Sequence, residues 1–81
     1  MQKSLHTDQH RVLCELLREL RNEAKLTQVQ LAEAIEEPQS MVSRVEVGER
    51  RLDILELRQW LAALGVPLKT FVTRLEKRLE G

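Results

Sequence analysis

Tyrosine is absent from this chain of 81 residues, and Trp60 and Phe71 are its only aromatics. Stacking on unpaired bases needs a row of aromatic faces, so single-strand binding is a poor candidate activity. With Cys14 as the one cysteine no internal disulfide can form, which fits a reducing cytoplasm. No apolar run nears the roughly 20 residues of a membrane-spanning helix, and the opening MQKSLHTDQH lacks the core of a signal peptide. Net charge is missing as well, because 13 Lys and Arg balance 13 Asp and Glu. Overall charge therefore lends no support to a polyanionic partner. There is no glycine-rich phosphate loop and no nucleophile–base pair at a recognisable spacing, so no enzyme activity and no cofactor are expected. His6, His10 and Cys14 are spaced i, i+4, i+8, but His6 precedes the expected helix start and a fourth ligand is lacking. A metal site is not expected.

What the chain has is helical periodicity, and no stretch alternates with period two. The pattern predicts an all-α domain of five helices over 8–81, behind a flexible arm at 1–7. Thr7 is a plausible cap for the first helix, in which Val12, Leu13, Leu16, Leu17, Leu20 and Ala24 form one stripe. It should end between Asn22 and Lys25. Thr27 and Gln30 make a T-x-x-Q capping box for a second, short helix whose inner face is Leu31, Ala32 and Ile35. Asp53 with Glu56 caps a fourth helix, carrying Leu57, Trp60, Leu61 and Leu64, which Gly65 and Pro67 close. Leu68, Phe71, Val72, Leu75 and Leu79 mark a fifth.

The third helix is the centre of the chain. In PQSMVSRVEVGERRLD, Pro38 suits a first helical position and Gly48 suits the left-handed position just past the end. Val42 and Val45 face one way, while Gln39, Ser40, Ser43, Arg44 and Val47 face the other. Gln can pair with adenine and Arg with guanine in the major groove, and Ser adapts to either. A solvated surface helix offers the same residue types, so the neighbours have to decide.

They do so through a registered motif. Thr27-Gln28, Leu31-Ala32, Gln39-Ser40-x-Val42-Ser43-Arg44 and Glu46-x-Gly48-Glu49-Arg50-Arg51 resemble the Cro and lambda-repressor type of helix-turn-helix domain, the XRE family. The likeness runs over roughly residues 12–68, with the helix-turn-helix at 27–47. The resemblance implies a lambda-repressor-like fold and a third helix that enters the major groove of double-stranded DNA. On this sequence Gln28 would contact a phosphate and brace Gln39; Gln39, Ser40, Ser43 and Arg44 would lie at or near base edges. Arg50 and Arg51 would reach phosphates, which set register rather than sequence. Glu46 would be structural.

Three positions depart from the family pattern. Glu36 stands where glycine is common, and a left-handed backbone there would cost about 1 kcal/mol. Glu37 precedes Pro38 where a small residue or a cation is commoner, and Val47 stands where a polar residue often reaches a phosphate. Over 27–47, Arg44 against Glu33, Glu36, Glu37 and Glu46 leaves a net charge of −3. A single monomer should bind DNA modestly, with a shallow salt dependence.

Specific binding would then rest on a homodimer. Its interface is expected on helices four and five, with Trp60, Phe71 and Leu75, and its two recognition helices would lie about 34 Å apart on a near-palindromic operator. The expected function is that of a cytoplasmic transcription regulator, a dimeric repressor. The alternative is a protein-interaction or antitoxin-like module on the same fold, with a protein partner and weak or no DNA binding.

Overall fold

The computed structural model describes the backbone of residues 2–81 and the side chains of 8–81. The side chains of the arm expected at 1–7, those of the expected cap Thr7 and of His6 among them, lie outside the described residues. Five helices follow in order: α1 (Gln2–Glu23), α2 (Gln28–Ala34), α3 (Gln39–Glu46), α4 (Ile54–Ala63) and α5 (Leu68–Glu80). No strand occurs among the described residues.

Both capping boxes form. The Thr27 hydroxyl accepts from Gln30 N at 3.1 Å while Thr27 N donates to Gln30 Oε1 at 2.8 Å. Asp53 and Glu56 repeat the exchange at 2.8 and 3.0 Å. Pro38 is not the first residue of α3 but its cap: with ψ at 151° it is still extended, and the helix begins at Gln39. A proline has no amide to donate, so the position half outside the helix loses nothing by holding it.

Four helices end in the same way. One residue past the helix turns left-handed; its own amide reaches back three residues and the amide after it reaches back five. Gly48 (φ 88°) and Gly65 (φ 75°) do this freely, whereas Lys25 (φ 61°) and Glu36 (φ 58°) do it with a side chain in place. At α3, Gly48 N bonds Val45 O at 3.1 Å and Glu49 N bonds Arg44 O at 2.8 Å; after α2, Glu37 N bonds Ala32 O at 2.9 Å. Glu36 thus carries the strain that its place in the turn implied, about 1 kcal/mol.

The core draws on every helix, and Trp60, Phe71, Leu16, Leu17, Leu20, Leu31, Leu61 and Val42 are fully buried side chains. This corrects the expected dimer interface. Trp60 and Phe71 are 0% and 1% exposed within the monomer, and Leu75 packs half-buried against the same cluster. An interior of this size has room for the tryptophan after all. Its Nε1–H has no hydrogen-bond partner among the described residues. That costs about 1–3 kcal/mol, less than the roughly 4–6 kcal/mol from burying an indole ring, so the burial prevails. The apolar side chains left outside on the rear helices are Ile54, Leu55, Val72 and Leu79.

Candidate nucleic-acid interface

The turn closed by Glu36 sets the start of α3 close to the start of α2. Gln28 and Gln39, each the first residue of its helix, meet there: Gln39 Nε2 donates to Gln28 Oε1 at 3.3 Å. Gln28 Nε2 in turn donates to Glu46 Oε1 at 3.0 Å, so the chain of bonds runs from the solvent inward.

Glu46 anchors it. Its residue is 3% exposed, although it belongs to a helix of eight residues whose other face is polar. Arg21 of α1 meets it with Nε to Oε2 at 2.6 Å and Nη2 to Oε1 at 3.0 Å, and sends Nη1 to Leu26 O at 2.9 Å. A bidentate fork of this kind offers donors to both carboxylate oxygens. Arg18 stands further off at 3.8 Å. The hydrogen bond to Glu46 pushes Arg21 above the ordinary arginine value. Counting Glu46 into the charge of 27–47 therefore overstated the acidity of the surface, since its charge is buried and met by a residue outside that segment.

Outward from this anchor, Gln39, Ser40 and Arg44 are exposed and Ser43 is half-buried, while Val42 and Val45 hold the helix to the core. Arg44 makes only a 3.9 Å contact with Glu49. Its side chain is 62% exposed. Val47 is 59% exposed, an apolar side chain at the edge of the polar face. Glu36 and Glu37, in the turn just before α3, are exposed, so the acidic turn does reach the surface.

Arg50 and Arg51 separate. Arg50 gives Nη1 and Nη2 to the two oxygens of Glu56 at 3.3 and 3.0 Å and a further bond to Arg51 O at 2.8 Å. Its pKa is raised and that of Glu56 lowered, in both cases first by that hydrogen bond. Arg50 thus fastens the loop after α3 to the start of α4, and its fork is already occupied. Arg51 is exposed and is the cation of the two that faces solvent.

His10 and Cys14 come together on α1, Nε2 to Sγ at 3.7 Å, and the thiol also donates to Val45 O at 3.4 Å. Burial pushes the Cys14 thiol up. Among the described residues no group of three His, Cys, Asp or Glu is placed to hold a metal. The pair is a packing contact between α1 and α3.

Arg21 is the residue that sequence reasoning missed. A signal was available: a glutamate read as structural and set in an interior needs a cation, and Arg21 borders the apolar stripe of α1 beside Leu17 and Leu20.

Two short helices joined by a tight turn, the second with one buried and one exposed polar face, make a helix-turn-helix unit. The helix-turn-helix family profile matches residues 17–71. Among solved structures, an XRE-family like protein from Pseudomonas syringae pv. tomato str. DC3000 is 35% identical over 95% of this chain and 94% of its own, with a TM-score of 0.86. A mutant of the restriction-modification controller protein C.Esp1396I is 24% identical and shares the fold, with a TM-score of 0.81 over 88% of this chain and 90% of its own. No curated protein matches significantly in sequence. The chain belongs to the XRE family of helix-turn-helix proteins. It is a DNA-binding transcription regulator, not an enzyme, with an all-α lambda-repressor-like fold. No described helix is long and apolar enough to cross a membrane.

Proposed function

We propose that the protein is a homodimeric, cytoplasmic repressor that reads a near-palindromic operator in double-stranded DNA through α3. The observation that carries this reading is the exposed polar face of Gln39, Ser40, Ser43 and Arg44 on a helix whose back is locked into the core. Gln39, Ser40, Ser43 and Arg44 contact or approach base edges; Arg51 contacts phosphate with its side chain, and Gln28, whose side-chain amide is engaged by Glu46 and Gln39, does so with its backbone N–H at the start of α2. Arg50 is left out of the phosphate set because Glu56 holds it. Ile54, Leu55 and Val72 replace Trp60 and Phe71 as the apolar residues available to a second copy. Two copies are needed because one monomer brings few free cations to the phosphates.

Selection from a random double-stranded library at about 100 mM salt tests the reading. Enrichment of a two-fold symmetric site with half-sites one turn apart is expected. Arg44→Ala should then cost about 1–3 kcal/mol at one base position, and Arg51→Ala should weaken all sequences alike. A folded protein that enriches nothing would instead be the protein-interaction or antitoxin-like module, a reading that the exposed Glu36, Glu37 and Val47 favour.

A further inference from the structure

The geometry points to Glu46 as a residue that sets base preference without touching a base, by fixing which way round the Gln39 amide faces the DNA. The inference rests on the reading of α3 as the base-contacting helix. Its ground is the direction of a chain of hydrogen bonds. A carboxylate bound by the Arg21 fork has acceptors only, so Gln28 must turn its NH2 toward Glu46, where the bond is 3.0 Å. The Gln28 oxygen is thereby sent outward. Gln39 must answer it with a donor, and it does, Nε2 to Oε1 at 3.3 Å. What is left for the DNA is the Gln39 oxygen together with the second proton of its NH2. That pair of groups matches adenine, whose N6–H2 donates and whose N7 accepts.

With a neutral amide at the base of the chain the polarity reverses. In Glu46→Gln the new side chain keeps its oxygen on Arg21 Nε, at the place of Oε2, and sets its NH2 at the place of Oε1, where it gives up the Arg21 Nη2 bond and donates to Gln28. Gln28 then turns its oxygen inward and its NH2 outward, and Gln39 gives its oxygen to Gln28. The group facing the DNA becomes the NH2, which suits the two acceptors of guanine, N7 and O6. A second change restores the original direction. In Glu46→Gln with Gln28→Glu, the amide at 46 donates to the carboxylate at 28, which accepts the Gln39 NH2 again.

Base preference at the position facing Gln39 is therefore measured for four proteins by competition on operators that differ at that position. Relative to wild type, Glu46→Gln should move the adenine-to-guanine ratio about tenfold or more toward guanine. The double variant should return it toward adenine at lower affinity on every sequence, because it adds a negative charge near phosphate. Gln28→Ala, which leaves the Arg21 pair intact and so tests the chain even where Glu46→Gln folds poorly, should flatten the preference. Equal weakening on all four bases with an unchanged ranking, in both Glu46→Gln and Gln28→Ala, would overturn the inference. If wild type selects no sequence, the proposed function fails, and the chain is then read in the DNA-free protein by NMR. The Gln28 side-chain NH2 should be shifted and slow to exchange, and should lose both properties in Glu46→Gln. A Gln28 amide resembling free glutamine in wild type would sink it.

Discussion

Two sets of ion pairs tie α1 to the rest of the molecule, and they use the same chemistry in opposite surroundings. Arg21 and Glu46 join α1 to α3 with side chains 12% and 0% exposed. Arg74 with Glu23 and Arg78 with Glu19 join α5 to α1 at the surface, with side chains 36% and 58% exposed in the first pair and 33% and 48% in the second. All three are forked, two nitrogens to two oxygens. Geometry does not distinguish them, so burial must. A buried pair is costly to form and still more costly to break on one side only, whereas an exposed pair is worth little and is screened by salt. The inner pair holds the helix-turn-helix to its scaffold; the outer pairs trim the seating of the last two turns of α5.

The largest effect comes from breaking the inner pair on one side. Arg21→Met leaves the Glu46 carboxylate enclosed without its cation and should cost about 3–5 kcal/mol in urea unfolding. A domain of this length has a total stability of about 4–12 kcal/mol, so the variant should stand near the edge of folding. Adding Glu46→Leu removes the stranded charge and should recover most of the loss. A small cost for Arg21→Met alone would mean that water or Arg18, 3.8 Å away, already shares the charge, and the contrast between inner and outer pairs would shrink.

The helix-turn-helix itself was legible from its residues, because capping boxes and glycine positions are local chemistry and announce themselves at fixed spacing. Thr27, Gln30, Asp53 and Glu56 act as their spacing implied. What could not be read were properties of the closed interior. Trp60 and Phe71 looked like surplus apolar surface, since the volume that α1, α2 and α4 enclose is not written in any one stripe; the structure buries both. Arg50 and Arg51 look alike in sequence, and only the position of Glu56 on the next helix separates the occupied fork from the free one. Arg21 was hidden for the same reason, 25 residues from its partner in sequence.

Effects of intermediate size lie at the helix ends on either side of α3. Gly48→Ala forces a side chain into the left-handed region at φ 88°. A Cβ there would meet His10 and Cys14 at ordinary contact distance, 3.6 and 3.9 Å, so the cost is that of the backbone alone, about 1–2 kcal/mol. Glu36→Gly runs the other way. Relief of about 1 kcal/mol is offset by about 0.5–1 kcal/mol of extra freedom in the unfolded chain, leaving a net gain of at most roughly 0.5 kcal/mol. It also removes an acidic group beside the proposed DNA surface and should tighten binding to all sequences alike. Loss of stability in Glu36→Gly would show that the glutamate makes a contact outweighing its strain.

The smallest effect is at the outer pairs, and its sign under acid sharpens the contrast. Hydrogen bonds from Arg78 and Arg74 hold Glu19 and Glu23 below the ordinary glutamate value of 4.5. Groups with depressed folded-state values stabilise the fold above the unfolded value, and that contribution fades as pH falls through the lowered one. Glu19→Gln with Glu23→Gln should therefore lower Tm slightly near neutral pH at low salt. The difference from wild type should vanish in about 0.5 M NaCl, where screening acts over a few ångströms. It should vanish again well below pH 4.5, where both carboxyls of the wild type are protonated. Arg21→Met, by contrast, should keep most of its effect in high salt, because a charge with no exposed surface is reached poorly by counterions. A Tm difference at the outer pairs that survives salt would place them in the same class as the inner one, and burial would no longer explain why α3 is held so firmly.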